Sequence, residues 1–582
     1  MSIYDKASLV LIPSGTKTSK VYSQKPVSGD GDFTFSRSTA ATRVNADGNI
    51  EKETSNLLLQ SNSFNTTWLN AATTETSGQA GYDGTNDAWR IDKSNSGGYI
   101  YQNISQSGVQ TFSVYAKAGT STWIQVVANG SSNALSFFDL DNGVLGATSA
   151  NIISRDITSV GNGYYRCSIS VNIGTIARVR FYVAEGDNDT NATSGNIYIQ
   201  DAQLNQGLIA QEVITTTTAA VEGGITDNVP RLDYTDSSCP ALLLEPQRTN
   251  VFTNSEYFGG TDWTKGNSSI TTNATTSPSG LVDGSFLVPN TSTSTHTCRQ
   301  SVGITSGTYT LSVYAKQGGY KNLLVWFDSH SGGVGVNLDD LSVFRDENND
   351  GYTIEDFGNG WVRIAVTITA SSTASPNFYV YSNAATPAIT HAGDGTSGIY
   401  IYGAQVEAGS YATSYIPTYG TSVTRNGDVL TNAGTLEMFD NNAGTLYVEF
   451  SALANDGRDN SFRFLISDGT NNDRIQIGLL QNDLLYASVV VNNVGTSGVD
   501  YSLPNPASNH KIAVTYTQTK FDLWVDGVKV DTDTNTAIPS GMYRYDFLRY
   551  ANNNDFVEGN IKQTMYFPTA LTDQEAIDLT TL

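Results

Sequence analysis

The stretch SGIYIYGAQVEAG beginning at Ser397 has a partner some two hundred residues earlier, SGNIYIQDAQLNQG beginning at Ser194. Both alternate apolar and polar residues, pass through an Ala-Gln pair and end at a glycine, the pattern of a half-buried strand leaving a sheet. Three further landmarks recur in the same order. TFSVYAKAG (Thr111–Gly119) returns as TLSVYAKQG (Thr310–Gly318), GNGYYRCSISV (Gly161–Val171) as GNGWVRIAVTI (Gly358–Ile368), and SNLLLQSNSFNTTW (Ser55–Trp68) as ALLLEPQRTNVFTNSEYFGGTDW (Ala241–Trp263). The copies lie about 200 residues apart with drifting spacing, so the repeat is a duplicated domain with loop insertions and not a short-period solenoid. Each copy holds about eight strand-like runs separated by Gly, Asn and Ser clusters, which predicts a β-sandwich with jelly-roll connections. The Asn-Gly pair in GNGYYRCSISV predicts a two-residue hairpin turn.

Composition agrees with an all-β chain: 54 Gly, 31 Tyr, 14 Pro and only 15% charged residues, with almost no helical periodicity. At 582 residues the chain calls for about three or four cores. Its net charge of -24 repels nucleic-acid phosphates and anionic lipid, so neither nucleic acid nor membrane is an expected partner. No apolar run approaches the ~18 residues of a membrane span, and the first residues lack a secretory pattern. The odd set Cys167, Cys239 and Cys298 argues against a disulfide framework, and Cys167 and Cys298 sit in strand-like runs where a buried thiol is expected.

After Arg425 neither copy is echoed. From GTLYVEFSAL (Gly444–Leu453) through HKIAVTYTQTKFDLWVDGVKV (His510–Val530) to YFPTALTDQEAIDL, long strands end in one short helical tail. The FDLWVDG turn and that tail resemble the laminin-G or concanavalin-like lectin sandwich. At the other end, SGDGDFTFSRSTAATRVNADGNIEKETSNLLLQ (Ser28–Gln60) and its echo PRLDYTDSSCPALLLEPQRTN (Pro230–Asn250) resemble segments of tailed-bacteriophage virion proteins. LLLEPQRTN followed by YATSYIPTYGTSVTR (Tyr411–Arg425) resembles phage fibre and appendage proteins with carbohydrate-binding-module-like sandwiches.

These resemblances imply an all-β chain of three β-sandwiches in tandem behind an N-terminal attachment segment. The expected divisions are an attachment segment at 1–54, a first sandwich at 55–209, a connector at 210–248, a second sandwich at 249–425 and a concanavalin-like sandwich at 426–582. They imply a head- or tail-fibre subunit on the virion surface, made in the host cytoplasm, joined to other virion proteins through its N-terminal segment and adhering to glycans. A homotrimer is the expected assembly, with a dimer next. A capsid or tail decoration protein that binds no glycan is the alternative reading, and a polysaccharide-degrading enzyme the third.

Chemistry is sparse. His296, His330, His391 and His510 show no zinc spacing, and neither a Gly-x-Ser-x-Gly elbow nor a phosphate loop is present, so the chain is expected not to be an enzyme. In DENNDG, Asp346, Asn348 and Asp350 alternate as oxygen ligands before Gly351, which makes calcium the one candidate cofactor; Phe357 at the twelfth position, where a calcium loop needs a bidentate acid, argues for a plain hairpin tip. Glycan platforms need aromatic rings. Trp68 and Trp263, like Tyr115 and Tyr314, occupy shared positions and are expected in the cores. Trp89, Trp123 and Trp326 lack an aromatic counterpart and are the candidate sugar-binding rings, together with Arg474, Tyr543, Arg544 and Tyr545 near expected loop tips of the last sandwich. Trp524 is expected in the core.

Overall fold

The computed structural model describes residues 2–371, 375–440, 442–453, 462–480, 483–534, 537–548 and 558–582. Antiparallel strands are its dominant regular structure, and among the described residues the one α-helix is Asp573–Thr580.

The two copies share one topology of twelve strands. In the first, one sheet runs Ile152–Gly161, Tyr164–Val171, Gln110–Ala118, Gly195–Gln206, Ala88–Lys93, Thr73–Gln79. In the second, Gly351–Gly358, Trp361–Ala370, Gly307–Gly318, Gly398–Ala408, Gly284–Pro289, Ser268–Thr275 follow the same order. We call this the signature sheet, because three of the four paired motifs lie in it. Facing it is an open sheet, Val144–Thr148, Asn133–Asp139, Trp123–Asn129, Ile176–Ala184, Tyr99–Gln106, Leu69–Ala71 in the first copy. Its counterpart in the second is Val343–Glu347, Gly332–Asn337, Asn322–Phe327, Pro376–Tyr381, Thr293–Gln300, Trp263–Gly266. The Asn-Gly turns form as expected, with Asn162 and Asn359 at φ 52° and 53° and Gly163 and Gly360 both at 78°.

The recurring Ala-Gln pair has a structural cause. Where the register slips between Ser113 and Tyr115, and again between Ser312 and Tyr314, Asp201 and Gly403 bulge out in the left-handed region, at φ 48° and 59°. Just beyond the bulge, Gln203 accepts a bond from the Ile214 N–H (2.8 Å) and Gln405 one from the Ile416 N–H (2.7 Å). A buried asparagine closes the same clasp: Asn56 donates to the Ala202 and Ile214 carbonyls, and Asn250 to those of Ala404 and Ile416. The repeated stretch thus ties each sandwich's last strand to the chain entering and leaving it.

The third sandwich is not confined to 426–582. Its nine-stranded sheet begins with Thr16–Lys17, Lys20–Val21 and Phe33–Ser36, the last paired with Val429–Ala433, and continues through Arg544–Phe547, Phe462–Ser467, Arg474–Leu480, Leu484–Val491 and Val494–Ser502. In the opposing sheet Gly559–Phe567 pairs with Gly444–Ser451, with Leu9–Leu11 and with Ala241–Leu244. Residues 1–54, expected to stand apart as an attachment segment, and 210–248, expected as a connector, therefore supply strands to this sandwich. Leu9, Leu11, Val21, Phe33, Phe35, Leu242 and Leu244 are all buried in one core with Leu446, Phe464 and Tyr545. Burying that much apolar surface outweighs the freedom a loose arm would keep.

Charged side chains lock these three stretches together. Arg37 bonds Asp428 at 3.0 Å, Arg231 bonds both Asp428 and Glu245, and Arg425 bonds Glu245. All five side chains are at most 2% exposed. Burial alone would raise the Glu245 carboxyl, but Arg425, Arg231 and the bonds from Ser414 hold it well below the usual carboxylate range. A second buried contact binds Lys52 to Glu256 (2.8 Å), Asp283 (3.4 Å) and the Tyr402 hydroxyl (3.1 Å) of the second sandwich.

With its folded pKa below the ordinary value near 4.5, Glu245 contributes stability that is complete above that pH and is lost as the pH falls further. Glu245→Gln, which leaves two buried guanidiniums short of a carboxylate, is expected to cost about 3–5 kcal/mol at pH 7 and to flatten the stability loss below pH ~4.5. Denaturant unfolding of both proteins across pH 3–8 checks this; equal stability at pH 7 would contradict it.

Candidate functional site

Alternation along a strand sends every second side chain of the open sheet away from the core. In the first sandwich Ile124, Val126, Val179, Phe181 and Ile100 point inward. Outward, the register sets three rows: Tyr99 beside Tyr182 beside Gln125, Tyr101 beside Arg180 beside Val127, and Asn103 beside Arg178 beside Asn129. The Tyr99 and Tyr182 rings lie 4.6 Å apart. The Arg178 guanidinium sits 4.3 Å from the Tyr101 ring centre and bonds Asn103 at 2.9 Å; that of Arg180 sits 5.2 Å from Tyr99 and bonds the Tyr182 hydroxyl at 2.8 Å. Among the described residues neither arginine has a carboxylate within ion-pair distance. This half-buried platform joins π-faces, amides and two cations, the groups that stack on sugar rings and bond their hydroxyls.

Trp123 is half-buried at one end of this face, packed beneath Gly146, where a Cβ would lie 2.4 Å from the indole. Trp89 is not on it. It belongs to the core, edge-on to Phe64 with its N–H bonded to the Asn62 carbonyl, because it lies on the inward side of a signature-sheet strand.

The second sandwich turns the equivalent face to a different use. Trp326 points outward, as a candidate ring should, but is only 7% exposed. Arg345 roofs it at 4.3 Å, held there by the Tyr381 hydroxyl (2.7 Å) and Glu347 (3.0 Å). Leu324, Tyr381, Phe344 and Tyr379 complete a satellite cluster. Gly333, directly opposite Trp326, leaves room for the indole: a Cβ there would meet it at 2.9 Å. Asp328 gathers Tyr379 (2.6 Å), Asn377 (2.9 Å) and Arg299 (3.7 Å) beside it. Trp326 is therefore a packed layer beneath a cation and not an open ring.

In the third sandwich the register Arg544–Ser467–Arg474 brings both candidate arginines to one outward face of the nine-stranded sheet. Arg544 is clamped by Asp546 (2.6 and 2.7 Å), and Arg474 bonds Gln476 at 2.8 Å. Tyr543 is 44% exposed and lies over Gly469. Tyr545 corrects the expectation of a loop: Arg544–Phe547 is a strand, so Tyr545 turns inward, fully buried against Phe33 and hydrogen-bonded to Thr564.

The DENNDG turn is satisfied by its own side chains. Asn349 bonds Asp346 and accepts from the Gly351 N–H, while Asn348 donates to the Ser331 carbonyl. Asp350 is exposed, and among the described residues no three or more acidic, His or Cys side chains converge as a metal site. Trp68, Trp263 and Trp524 are buried as expected, as are Cys167 and Cys298, while Cys239 is exposed.

Residues 423–576 match the family model of the concanavalin A-like lectin/glucanases superfamily, Laminin_G_3. No curated protein matches the chain. Among solved structures, a Ruminococcus gnavus IT-sialidase CBM40 bound to α2,3 sialyllactose is 13% identical, with 25% of this chain and 84% of that one covered and a TM-score of 0.21. The NanB sialidase of Streptococcus pneumoniae is likewise 13% identical, with 25% of each chain covered and a TM-score of 0.21. Sheep galectin-11 is 9% identical, covering 21% of this chain and 87% of its own, at 0.17. At such scores these likenesses add nothing to the argument. The concanavalin-like match, by contrast, covers the C-terminal stretch that supplies most strands of the third sandwich.

Tyr99, Tyr101, Arg178, Arg180 and Tyr182 were not singled out from the sequence, although GGYIYQNIS and ARVRFYV alternate strictly enough to have shown them. Trp326→Ala is expected to destabilise the protein by about 3 kcal/mol, whereas Tyr101→Ala, which removes a half-buried ring, leaves the melting temperature nearly unchanged. Differential scanning calorimetry of the two variants decides; a silent Trp326→Ala would restore it as an open ring.

Proposed function

We propose that the protein is a non-enzymatic appendage subunit of a tailed-phage virion, assembled as a homotrimer, that holds host-surface or environmental glycans on the open faces of its sandwiches. The observation that carries this is the outward face of the first sandwich. Five side chains there, Tyr99, Tyr101, Arg178, Arg180 and Tyr182, are stacked and hydrogen-bonded into a platform that the core does not require. Single platforms of this kind bind weakly. Several copies of the platform in one assembly raise the effective affinity without new contacts. In this reading the N-terminal segment that joins other virion proteins does so as part of the third sandwich, into which residues 9–36 are built.

A glycan array probed with the purified full-length protein tests this. Binding to a defined glycan set is expected, and the Tyr101→Ala, Arg178→Ala double variant should lose it while keeping its melting temperature. Binding to no glycan, together with virions that lose stability when the protein is deleted, would favour a decoration role instead.

A further inference from the structure

The open sheet of the first sandwich carries a charge imbalance that its duplicate does not. Arg178 and Arg180 lie two residues apart on one strand and so share the outward face, about 7 Å apart along the strand, a spacing at which like charges repel. Each is held by a ring and one hydrogen bond: Arg178 lies over Tyr101 with its Nε donating to Asn103, and Arg180 beside Tyr99 with one Nη donating to the Tyr182 hydroxyl. Both terminal nitrogens of Arg178 and the second of Arg180 have no partner among the described residues, and none of the three is sealed from solvent. The rings fix the guanidinium planes and leave these donor edges open, the arrangement in which an arginine fork takes an oxyanion.

The second sandwich shows what neutralises such a face. Read without a gap from the shared SVYAK motif, Asp328 stands where the first sandwich has Asn129. Asp328 holds Arg299 at 3.7 Å and accepts bonds from Tyr379 and Asn377, and Arg345 on the same face has Glu347 at 3.0 Å. In the first sandwich Asn129 is registered opposite Arg178 but offers an amide, whose nitrogen donates to Asn133. The acids around the platform are engaged elsewhere. Asp139 and Asp187 cap backbone N–H groups at the Trp123 end, whose row lies four residues, about 13 Å, along the strand from that of Arg180. Glu75 bonds Asn70, on the edge strand, and Thr73. In a chain of net charge -24 the two open guanidiniums are thus a local exception, and because the surrounding field repels anions, an anion is held here by contact and not by long-range attraction.

We propose that this platform takes an anionic saccharide, its carboxylate or sulfate oxygens accepting from the free Nη groups of Arg178 and Arg180 while the neighbouring tyrosines pack against the ring carbons. The proposal rests on the reading of this face as a glycan site and names the charge class that the site selects. The open face of the second sandwich, with its cations already paired, does not share that selection.

Glycan-array binding of the full-length protein at pH 7 tests it, with galacturonate oligomers printed beside their methyl esters and dextran sulfate beside dextran, so that the members of each pair differ chiefly in charge. Binding is expected to one or both charged members and to be about tenfold weaker or absent on the neutral partner; the carboxylate and sulfate pairs tell the two sources of the anion apart. Asn129→Asp gives the first sandwich the carboxylate that the second carries at the equivalent position and removes no cation or ring. It should weaken binding to the charged members about tenfold with the melting temperature unchanged, and Arg178→Gln should do the same by removing one fork. Equal or tighter binding to the neutral members, lost in Tyr101→Ala, would overturn the proposal and leave the platform reading standing. Binding to neither charged member would also overturn it, whereas the platform reading falls only if a wider array stays silent too. Binding to a charged member that survives both Asn129→Asp and Arg178→Gln would overturn it as well.

Discussion

The contact between Asp428, Glu245 and the guanidiniums of Arg37, Arg231 and Arg425 decides how the chain closes on itself. Each of the three arginines comes from a different stretch, near residue 40, 230 or 425, and each stretch enters or leaves a different sandwich. Three cations face two carboxylates, and backbone carbonyls take the excess: Arg37 donates to Thr226 and Val229, Arg425 to Pro246. Burial still lowers the Arg37 pKa to about 10. Such a network adds little net stability over an apolar core of the same volume. Its value is selective, because any misplaced strand among these three stretches would leave a buried charge without its partner.

Around that lock the duplicated and unduplicated positions divide their tasks. Shared residues serve the scaffold: Trp68 and Trp263 bond the Gln60 and Asn254 carbonyls, and Arg166 and Arg363 stack on Tyr115 and Tyr314 at 5.4 and 5.3 Å. Apart from the core residue Trp89, the unshared residues discussed above on the open sheets face outward. The same open sheet carries stacked tyrosines with unneutralised arginines in the first copy and an arginine-roofed tryptophan in the second. One scaffold thus presents two chemically distinct surfaces, which is what duplication makes available when strand order is held and outward side chains are free to change.

Much of this was legible in the sequence, and the failures have physical reasons. The duplicate topology followed from four ordered landmarks, and the Asn-Gly turns from their need for positive φ. The composite third sandwich was hidden, because Leu9–Leu11 and Ala241–Leu244 are short apolar runs whose partner, Gly559–Phe567, lies more than 300 residues away, and no local pattern encodes such pairing. The stretches containing Arg37, Glu245 and Arg425 were recognised as distinctive, but a spacing along the chain does not reveal convergence in space. Reading Tyr543, Arg544 and Tyr545 as one loop tip misplaces Tyr545, because strand alternation sends Arg544 and Tyr545 to opposite faces. Trp326 points outward, yet its cover, Arg345, comes from a strand two places along the sheet that periodicity does not locate.

The central claim is that the two ends of the chain and the 231–244 segment fold as one unit with residues 444–567. Native-state hydrogen exchange resolved by residue tests it most directly, since strands that belong to one cooperative unit open together. The account predicts that the amides of Leu9–Leu11, Phe33–Ser36 and Leu242–Leu244 exchange with the same opening free energy as those of Leu446–Phe450. Fast exchange of the N-terminal strands while Leu446–Phe450 stays protected would contradict it, and would return residues 1–54 to the standing of a separate arm.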